Sequence, residues 1–275
     1  MRFKGGKRIF GYIISAGYFL LLYFPIYWLF TSSFKTSKAL FSIPPQWIFA
    51  PVLEHYKWLL AFGQVITGLK NSIIVATATT VLSLVLGLPC AYAFSRFQFK
   101  LRDDLKFWII TLRMLPPVAV VIPFYLIWLK LHLYDTYIAL CLSYLIITMP
   151  IVVWLMGGFF KKIPREAEEA AMIDGASIYI AFLRIALPLA GPGLIITIMF
   201  VFIFVWNDLF FGFMFTTHNI TLPVALAGLS RSGMQLKWGA IAAGGVISTI
   251  PGIIFALMAR KFATTGLQGL SEFVK

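Results

Sequence analysis

Long apolar runs, each about as long as a bilayer crossing, dominate the pattern of hydrophobic and polar positions along this chain. A helix needs about 20 mostly apolar residues to cross the hydrocarbon core of a membrane. We therefore expect an all-α membrane protein whose even number of spans places both termini on the same side. The six predicted transmembrane helices are residues 12–34, 71–95, 105–129, 137–160, 189–215 and 238–259.

The first run follows a basic start and continues to about Phe34. A signal peptide has an apolar core of only about 7–15 residues and a small-residue cleavage site. This run is longer, and no small-x-small pattern follows it. We expect it to be an uncleaved first span.

The segments between the runs predict two external loops and one large cytoplasmic loop. Residues 35–70 are apolar but are interrupted by prolines and charges, so an external loop with an interfacial helix near Tyr56–Leu69 is expected. Residues 216–237 form the second external loop, and residues 161–188 form the cytoplasmic loop. The whole chain, 1–275, is expected to be a single transmembrane domain.

Composition supports the membrane assignment, because only 12% of the residues are charged and the mean hydropathy is +0.90. Soluble domains carry about 25% charged residues. The net charge of +13 could indicate a nucleic-acid partner, but its distribution argues otherwise. Fifteen Lys and Arg residues fall on the side that holds the termini and seven on the other, with Arg113 inside a span. This is the positive-inside pattern, so the termini are expected in the cytoplasm and no nucleic acid is expected to bind.

The cytoplasmic loop predicts two short helices joined by a turn. Pro164 suits a first helical turn, and the three glutamates that follow it favour the positive end of the helix dipole. Gly175 can take the left-handed conformation that ends a helix, Ser177 can cap a second helix, and Pro188 begins the next span. The alternative is an amphipathic loop lying on lipid headgroups, but the anionic leaflet would repel its acidic residues. Docking to a soluble partner is the interpretation that we prefer.

The spacing of Glu169-Ala170-Ala171, Gly175, Ile185 and Leu187-Pro188 resembles the EAA loop of binding-protein-dependent ABC importer permeases. Other segments resemble the smaller, maltose-transporter-type permease of the carbohydrate-uptake subfamily. They are Asn71-Ser72-Ile73, Ala91 to Phe97, Arg113 to Pro117, Ile122-Pro123, Trp206-Asn207-Asp208 and Thr221-Leu222-Pro223.

The resemblance implies the architecture of a type I ABC importer permease and a set of partners. These are a second homologous permease, an ATPase homodimer that binds ATP-Mg, a soluble solute-binding protein and the lipid of a bacterial inner membrane. By analogy, the EAA helices would contact the ATPase and couple its closure to alternating access. The implied coupling residues are Glu168, Glu169, Ala170, Ala171, Met172, Asp174, Gly175, Ala176, Ile185, Leu187 and Pro188.

The chain lacks the motifs of an enzyme. No GxxxxGK[ST] phosphate loop, HExxH metal motif or Gly-x-Ser-x-Gly occurs, and Cys90 and Cys141 lie in apolar runs without metal-ligand spacing. We therefore expect no catalytic activity, no cofactor and no metal in this chain.

Four polar residues in the spans are candidates for the substrate pathway, because ionisable groups within a membrane are often functional. They are Asn71, Arg113, Asn207 and Asp208. Asn207 and Asp208 could instead join helices by hydrogen bonds, and the Arg113 side chain could reach the cytoplasmic interface or form an ion pair.

The sequence thus favours the permease subunit of an ATP-driven importer for a sugar or sugar-like solute. A secondary carrier or channel that works without an ATPase is the alternative, but it would need inverted repeats or a chain of carboxylates near the midplane, and neither is evident. A membrane scaffold without transport is the third possibility.

Overall fold

A computed structural model describes the backbone of residues 5–229 and 237–272, and the side chains of 10–229 and 237–258. Within these residues the chain is helical, with no β-strand. The helices are α1 Gly5–Phe34, α2 Ser37–Leu40, α3 Glu54–Ala61, α4 Gly63–Arg96, α5 Arg102–Thr111, α6 Pro117–Lys130, α7 Tyr137–Lys162, α8 Glu166–Ile173, α9 Ile178–Ala181, α10 Leu187–Leu189, α11 Gly191–Asn207, α12 Phe210–Phe215, α13 Leu222–Leu229 and α14 Trp238–Glu272.

Four helices in the described part are long and apolar enough to cross a membrane, and two bent helix pairs pass the same test. Counting each bent pair as one span gives six, so the predicted all-α fold is confirmed. The four continuous spans are Phe10–Phe34, Gly63–Arg96, Tyr137–Lys162 and Trp238–Met258.

The third predicted span is sharply bent where two prolines follow each other. Its halves, Arg102–Met114 and Pro117–Lys130, meet at 95°. The residue before a proline avoids the helical conformation, and Leu115 is accordingly extended, with ψ 124°. Pro116 is extended as well, with ψ 129°, and Pro117 begins α6.

The fifth predicted span, 189–215, also differs from one straight helix. Ile178–Leu189 and Gly191–Asn207 meet at 80°, and α12 begins only after a second break at Asp208 and Leu209. Just before the first bend the residues Phe182–Ala186 form a π-helix. Pro188 follows, and its missing N–H cannot continue the regular helical hydrogen bonds.

Residues 35–70, the first predicted external loop, are partly helical, but the helix there is not at the predicted position Tyr56–Leu69. It is α3, Glu54–Ala61, and Phe62, with ψ 95°, separates it from α4. Helix α4 begins at Gly63, eight residues before the predicted position 71. The intervening residues contain no proline, so nothing stops the span from extending.

The chain divides into two compact units. The first comprises Met1–Val65 and Leu226–Ile250, and the second comprises Ile66–Ala225 and Pro251–Lys275. In the first unit the Ser33 hydroxyl lies 2.8 Å from the Tyr56 hydroxyl, and His55 Nε2 lies 2.7 Å from the Lys35 carbonyl. These contacts join the end of α1 to α3.

In the second unit, α7 is the central helix. Its Tyr144, Met156 and Phe160 are fully buried, and α11 and α12 pack against it. Helix α4 packs closely on another part of α7, where a methyl group added at Gly87 would lie 2.7 Å from Val152 Cγ1. Small residues permit such close approach between membrane helices. This unit also contains residues 161–188, the predicted cytoplasmic loop.

Candidate functional site

Helix α8 has a well-defined beginning and end. Three glutamates occupy its first turn, where the helix dipole favours negative charge. At the other end Gly175 has φ +90°. The Gly175 N–H donates to the Met172 carbonyl at 3.1 Å, and the Ala176 N–H donates to the Ala171 carbonyl at 2.9 Å. This pair of bonds is the Schellman arrangement, so the helix end predicted at Gly175 is confirmed.

The second short helix begins where the sequence predicts. Ser177 is extended, and its hydroxyl oxygen accepts a hydrogen bond from the Ile180 N–H at 3.4 Å. Helix α9, Ile178–Ala181, is nevertheless short, because the π-helix replaces the regular helix that was expected to reach Leu187. The loop is therefore a helix–turn–helix with an irregular exit.

A buried ion pair joins α8 to the end of α4. The Arg96 Nε donates to both carboxylate oxygens of Glu168, at 2.9 and 3.1 Å, and Arg96 Nη2 donates to Oε1 at 2.5 Å. The Tyr92 hydroxyl donates to Glu168 Oε2 at 2.6 Å, and Arg96 Nη2 also donates to the Ile163 carbonyl at 3.1 Å. The two charged side chains are only 7% and 5% exposed.

The hydrogen bonds around this ion pair compensate for its burial. Charges removed from water are costly unless their remaining donors and acceptors are satisfied, and here both carboxylate oxygens accept from more than one group. Aromatic rings pack around Tyr92, whose ring lies 5.6 Å from Phe160 and 4.8 Å from Phe182. Removing one charge would leave the other unpaired, which costs about 3–5 kcal/mol in buried pairs.

The opposite side of the loop exposes apolar side chains. Ile173, at the end of α8, is 86% exposed, and the neighbouring Met172 is also exposed. Exposed apolar residues gathered at one place mark interaction sites. A surface of this kind at the tip of a loop outside the spans suits contact with another protein.

The predicted coupling residues fall into different environments. Glu168 is buried, whereas its neighbour Glu169 faces solvent. The other exposed members are Ala170, Met172, Asp174, Gly175 and Pro188, and the partly exposed members are Ala171, Ala176, Ile185 and Leu187.

Two of the predicted pathway residues are hydrogen-bonded between elements. Asn71 is 1% exposed; its Nδ2 donates to the Ile220 carbonyl at 2.9 Å, and its Oδ1 accepts from the Tyr137 hydroxyl at 2.7 Å. Asp208 Oδ2 accepts from the buried Tyr144 hydroxyl and from the Phe211 N–H, each at 2.9 Å. Asp208 therefore caps α12 and joins it to α7.

The other two pathway candidates are exposed. Asn207 donates to the Ile203 carbonyl of its own helix at 3.0 Å. Arg113 lies in a short 3₁₀-helix, Leu112–Met114, at the bend of the third span. Across the described residues, no hydrogen bond joins any two of the four candidates.

On the side predicted to be external, Asp135 joins two loops. Its carboxylate accepts hydrogen bonds from the backbone N–H groups of Thr217, His218 and Asn219, at 2.9 to 3.2 Å. Partial burial acts to raise the pKa of Asp135, but these N–H donors and His218 outweigh it, so the pKa lies below the ordinary 3.8. The loop between α6 and α7 is thereby fixed to the loop after α12.

Sequence analysis did not find the partners of Arg96 and Asp135. In the sequence, Arg96 marks the cytoplasmic side and belongs to the Ala91 to Phe97 segment that resembles the permease family. Tyr92 lies four residues before it and therefore on the same helix face. This spacing at the polar end of a span indicates that Tyr92 and Arg96 could bind the same partner residue. Nothing in the sequence indicates that Glu168, rather than Glu166 or Glu169, is the carboxylate that pairs with it.

In the described part of the chain, no group of three or more His, Cys, Asp or Glu residues could hold a metal ion. The chemistry that this site supports is recognition of another protein by an exposed loop with a fixed base.

Comparison with a known structure identifies the fold. The chain superposes on a chain from the crystal structure of a bacterial ABC transporter involved in the import of the acidic polysaccharide alginate, with a TM-score of 0.78 and 24% identity. The match covers 95% of this chain and 99% of the other. The protein therefore has the all-α fold of type I ABC importers and is a multi-pass membrane protein.

Relatives share more of the sequence. The trehalose/maltose transport system permease protein of Thermococcus litoralis is 33% identical over 94% of this chain and 93% of its own length. The trehalose transport system permease protein of Mycobacterium tuberculosis is 34% identical over 92% of each chain. The sequence model of the binding-protein-dependent transport system inner membrane component matches residues 83–264, more than half of the chain. This protein belongs to the family of binding-protein-dependent transport system inner membrane components.

Proposed function

We propose that this chain is a permease subunit of an ATP-driven importer for a sugar or sugar-like solute in a bacterial inner membrane. Family membership supports the transport role, and two similar relatives are permeases named for trehalose or maltose. The chain itself carries out no catalysis. Mg-ATP is bound and hydrolysed by the partner subunits.

The exposed tip of the cytoplasmic loop carries this proposal. A loop that only connected two spans would not need a Schellman turn at Gly175 or a largely exposed Ile173 beside an exposed Met172. Apolar groups on a segment outside the spans gain free energy only when a partner covers them. The proposed partner is one subunit of an ATPase homodimer, into which Glu169, Ala170 and the Gly175 turn would fit.

The remaining partners follow from the transport cycle. A second, homologous permease would complete the pathway, and a soluble binding protein would deliver the solute to the external side. Coupling would proceed from closure of the ATPase dimer, through α8, to alternating access in the spans.

Substitution of Gly175 tests this proposal. A Cβ atom added at Gly175 would meet no neighbouring atom, but φ +90° disfavours any L-residue. We expect Gly175→Leu to abolish solute uptake by the assembled transporter while membrane insertion is retained. Gly158→Leu is the matched control, because a Cβ atom added there also meets no neighbouring atom and Gly158 has no positive φ.

Normal uptake by the Gly175→Leu variant would contradict coupling through this loop. Transport by this polypeptide alone in liposomes, without any ATPase, would instead favour a secondary carrier or channel.

A further inference from the structure

The base of the predicted cytoplasmic loop holds a buried ion pair, which contact of the exposed tip with a partner would not require. Of the three glutamates in the first turn of α8, Glu168 alone is buried, and it pairs with Arg96 of another helix. Among the described residues this is the one ion pair within 4.0 Å. Glu166 and Arg165 are exposed. A buried ion pair therefore lies at the junction of α8 and α4.

We propose that Arg96 and Glu168 are positioning residues that carry displacement of α8 into α4 during transport. This inference rests on the proposed function, in which an ATPase moves α8. The pair touches neither the nucleotide nor the solute. It would act by holding the cytoplasmic end of a membrane span to the helix that receives the force.

The geometry suits transmission of force better than simple attachment. A guanidinium that donates to a carboxylate through two nitrogens fixes orientation as well as distance. The Tyr92 hydroxyl adds a third contact one helical turn away, and its ring also packs against Phe182 in the irregular exit of the loop. Rotation of α8 relative to α4 would break several of these contacts together.

Helix α4 is also continuous over the distance that the motion must cover. It extends without interruption from Gly63 to Arg96, despite Pro89. The residues between Asn71 and Arg96 span about 38 Å at the rise of an α-helix. At the far end Asn71 bonds the Ile220 carbonyl, and Ser72 Oγ accepts from the Leu222 N–H at 2.8 Å. A shift at Arg96 would therefore reach the turn before α13.

A purely structural role is the competing explanation, and a pair of substitutions separates the two. Replacing one member of a buried pair leaves an unpaired charge, whereas replacing both with apolar residues of similar size is often neutral for stability. Arg96→Met combined with Glu168→Leu would keep the junction packed but would remove its oriented hydrogen bonds. The single variants are Arg96→Gln and Glu168→Gln.

The experiment uses the complete transporter in proteoliposomes and measures three quantities: the unfolding temperature, ATP hydrolysis, and solute uptake per ATP hydrolysed. We expect the single variants to lower both the unfolding temperature and the uptake per ATP. The double variant should recover the unfolding temperature, while its uptake per ATP stays at least about tenfold below the wild type, as expected for loss of a charge-assisted hydrogen bond. Arg165→Gln and Glu166→Gln are controls that remove exposed charges of the same loop.

Recovery of uptake per ATP together with stability in the double variant would overturn the inference, because a structural role would then suffice. Single variants with unchanged uptake per ATP would overturn it as well. Failure of the proposed function would look different, since the wild-type chain would then bind no ATPase subunit and the ratio could not be measured.

Discussion

At the scale of single residues, side chains that satisfy backbone groups of distant segments fix the loops of this protein. Asp135 is the example on the predicted external side, where one carboxylate accepts from three consecutive N–H groups and Asn219 Nδ2 returns a bond to the Asp135 carbonyl at 2.6 Å. Asp135 has φ +61°, which aspartate tolerates better than most residues. The carboxylate of Asp135 therefore holds the loop in its conformation, and the N–H groups of the loop in turn stabilise the negative charge of Asp135.

Acidification should therefore weaken this loop contact. The pKa of Asp135 is lower in the folded protein than its ordinary 3.8. The stabilisation is accordingly complete above about 3.8 and disappears as the pH falls through the lower folded value. We expect Asp135→Asn to lower the unfolding free energy by about 1 kcal/mol near neutral pH. The variant should also lack the part of the stability loss at low pH that comes from protonation of Asp135.

Thermal unfolding of the purified protein and of Asp135→Asn, at neutral pH and below 3.8, measures both effects. An equal loss of stability on acidification in the two proteins would contradict the role given to this carboxylate.

Local features of the candidate site could be predicted, and its long-range pairing could not. A glycine at the end of an acidic, alanine-rich segment and a serine two residues later suffice to place the turn at Gly175 and the cap at Ser177, because both depend on neighbouring backbone only. Arg96 and Glu168 lie 72 residues apart. Their pairing depends on how α8 is rotated about its axis, which the sequence pattern leaves open among three glutamates.

At the scale of elements, the number of spans followed from hydropathy, but their shape did not. A window of apolar residues gives the length of a span and not its direction, so hydropathy could not supply the bend angles of 95° and 80°. The tandem prolines at 116 and 117 were a visible signal for the first bend. The second bend follows the π-helix and Pro188, and Phe182 in that π-helix packs against Tyr92 of a distant segment.

Close packing of α4 on α7 gives a prediction at this scale. The methyl group of Gly87→Ala would lie 2.8 Å from Cβ of the fully buried Val152, so one of the two helices would have to shift. We expect a loss of about 1–3 kcal/mol in unfolding free energy, the usual cost of overpacking. Gly158→Ala on α7 is the control, because its added methyl meets open space.

Chemical or thermal unfolding in detergent, with the two alanine variants side by side, measures the difference. If Gly87→Ala proved as stable as Gly158→Ala, the result would contradict the close packing of α4 on α7 at Gly87.

At the scale of the whole molecule, the proposed mechanism has α8 receive force from a separate ATPase while the buried base of this helix passes that force to a span. The two surfaces of α8 have different roles in this mechanism. Ile173 is exposed and would contact the ATPase, whereas Glu168 is buried and pairs with Arg96 of α4. Membership in a binding-protein-dependent transport family agrees with this division. The single-domain organisation stays a prediction.

Site-specific photo-crosslinking in the assembled transporter tests whether α8 contacts the ATPase. A photoreactive residue placed at Ile173, which is 86% exposed, should form a covalent link to the nucleotide-hydrolysing subunit. The same residue placed at the exposed Thr217 on the opposite side should form none. A link from Thr217 but not from Ile173 would contradict docking of α8 to the ATPase. Labelling of an Ile173→Cys variant by a membrane-impermeant thiol reagent from outside the cell would contradict it as well.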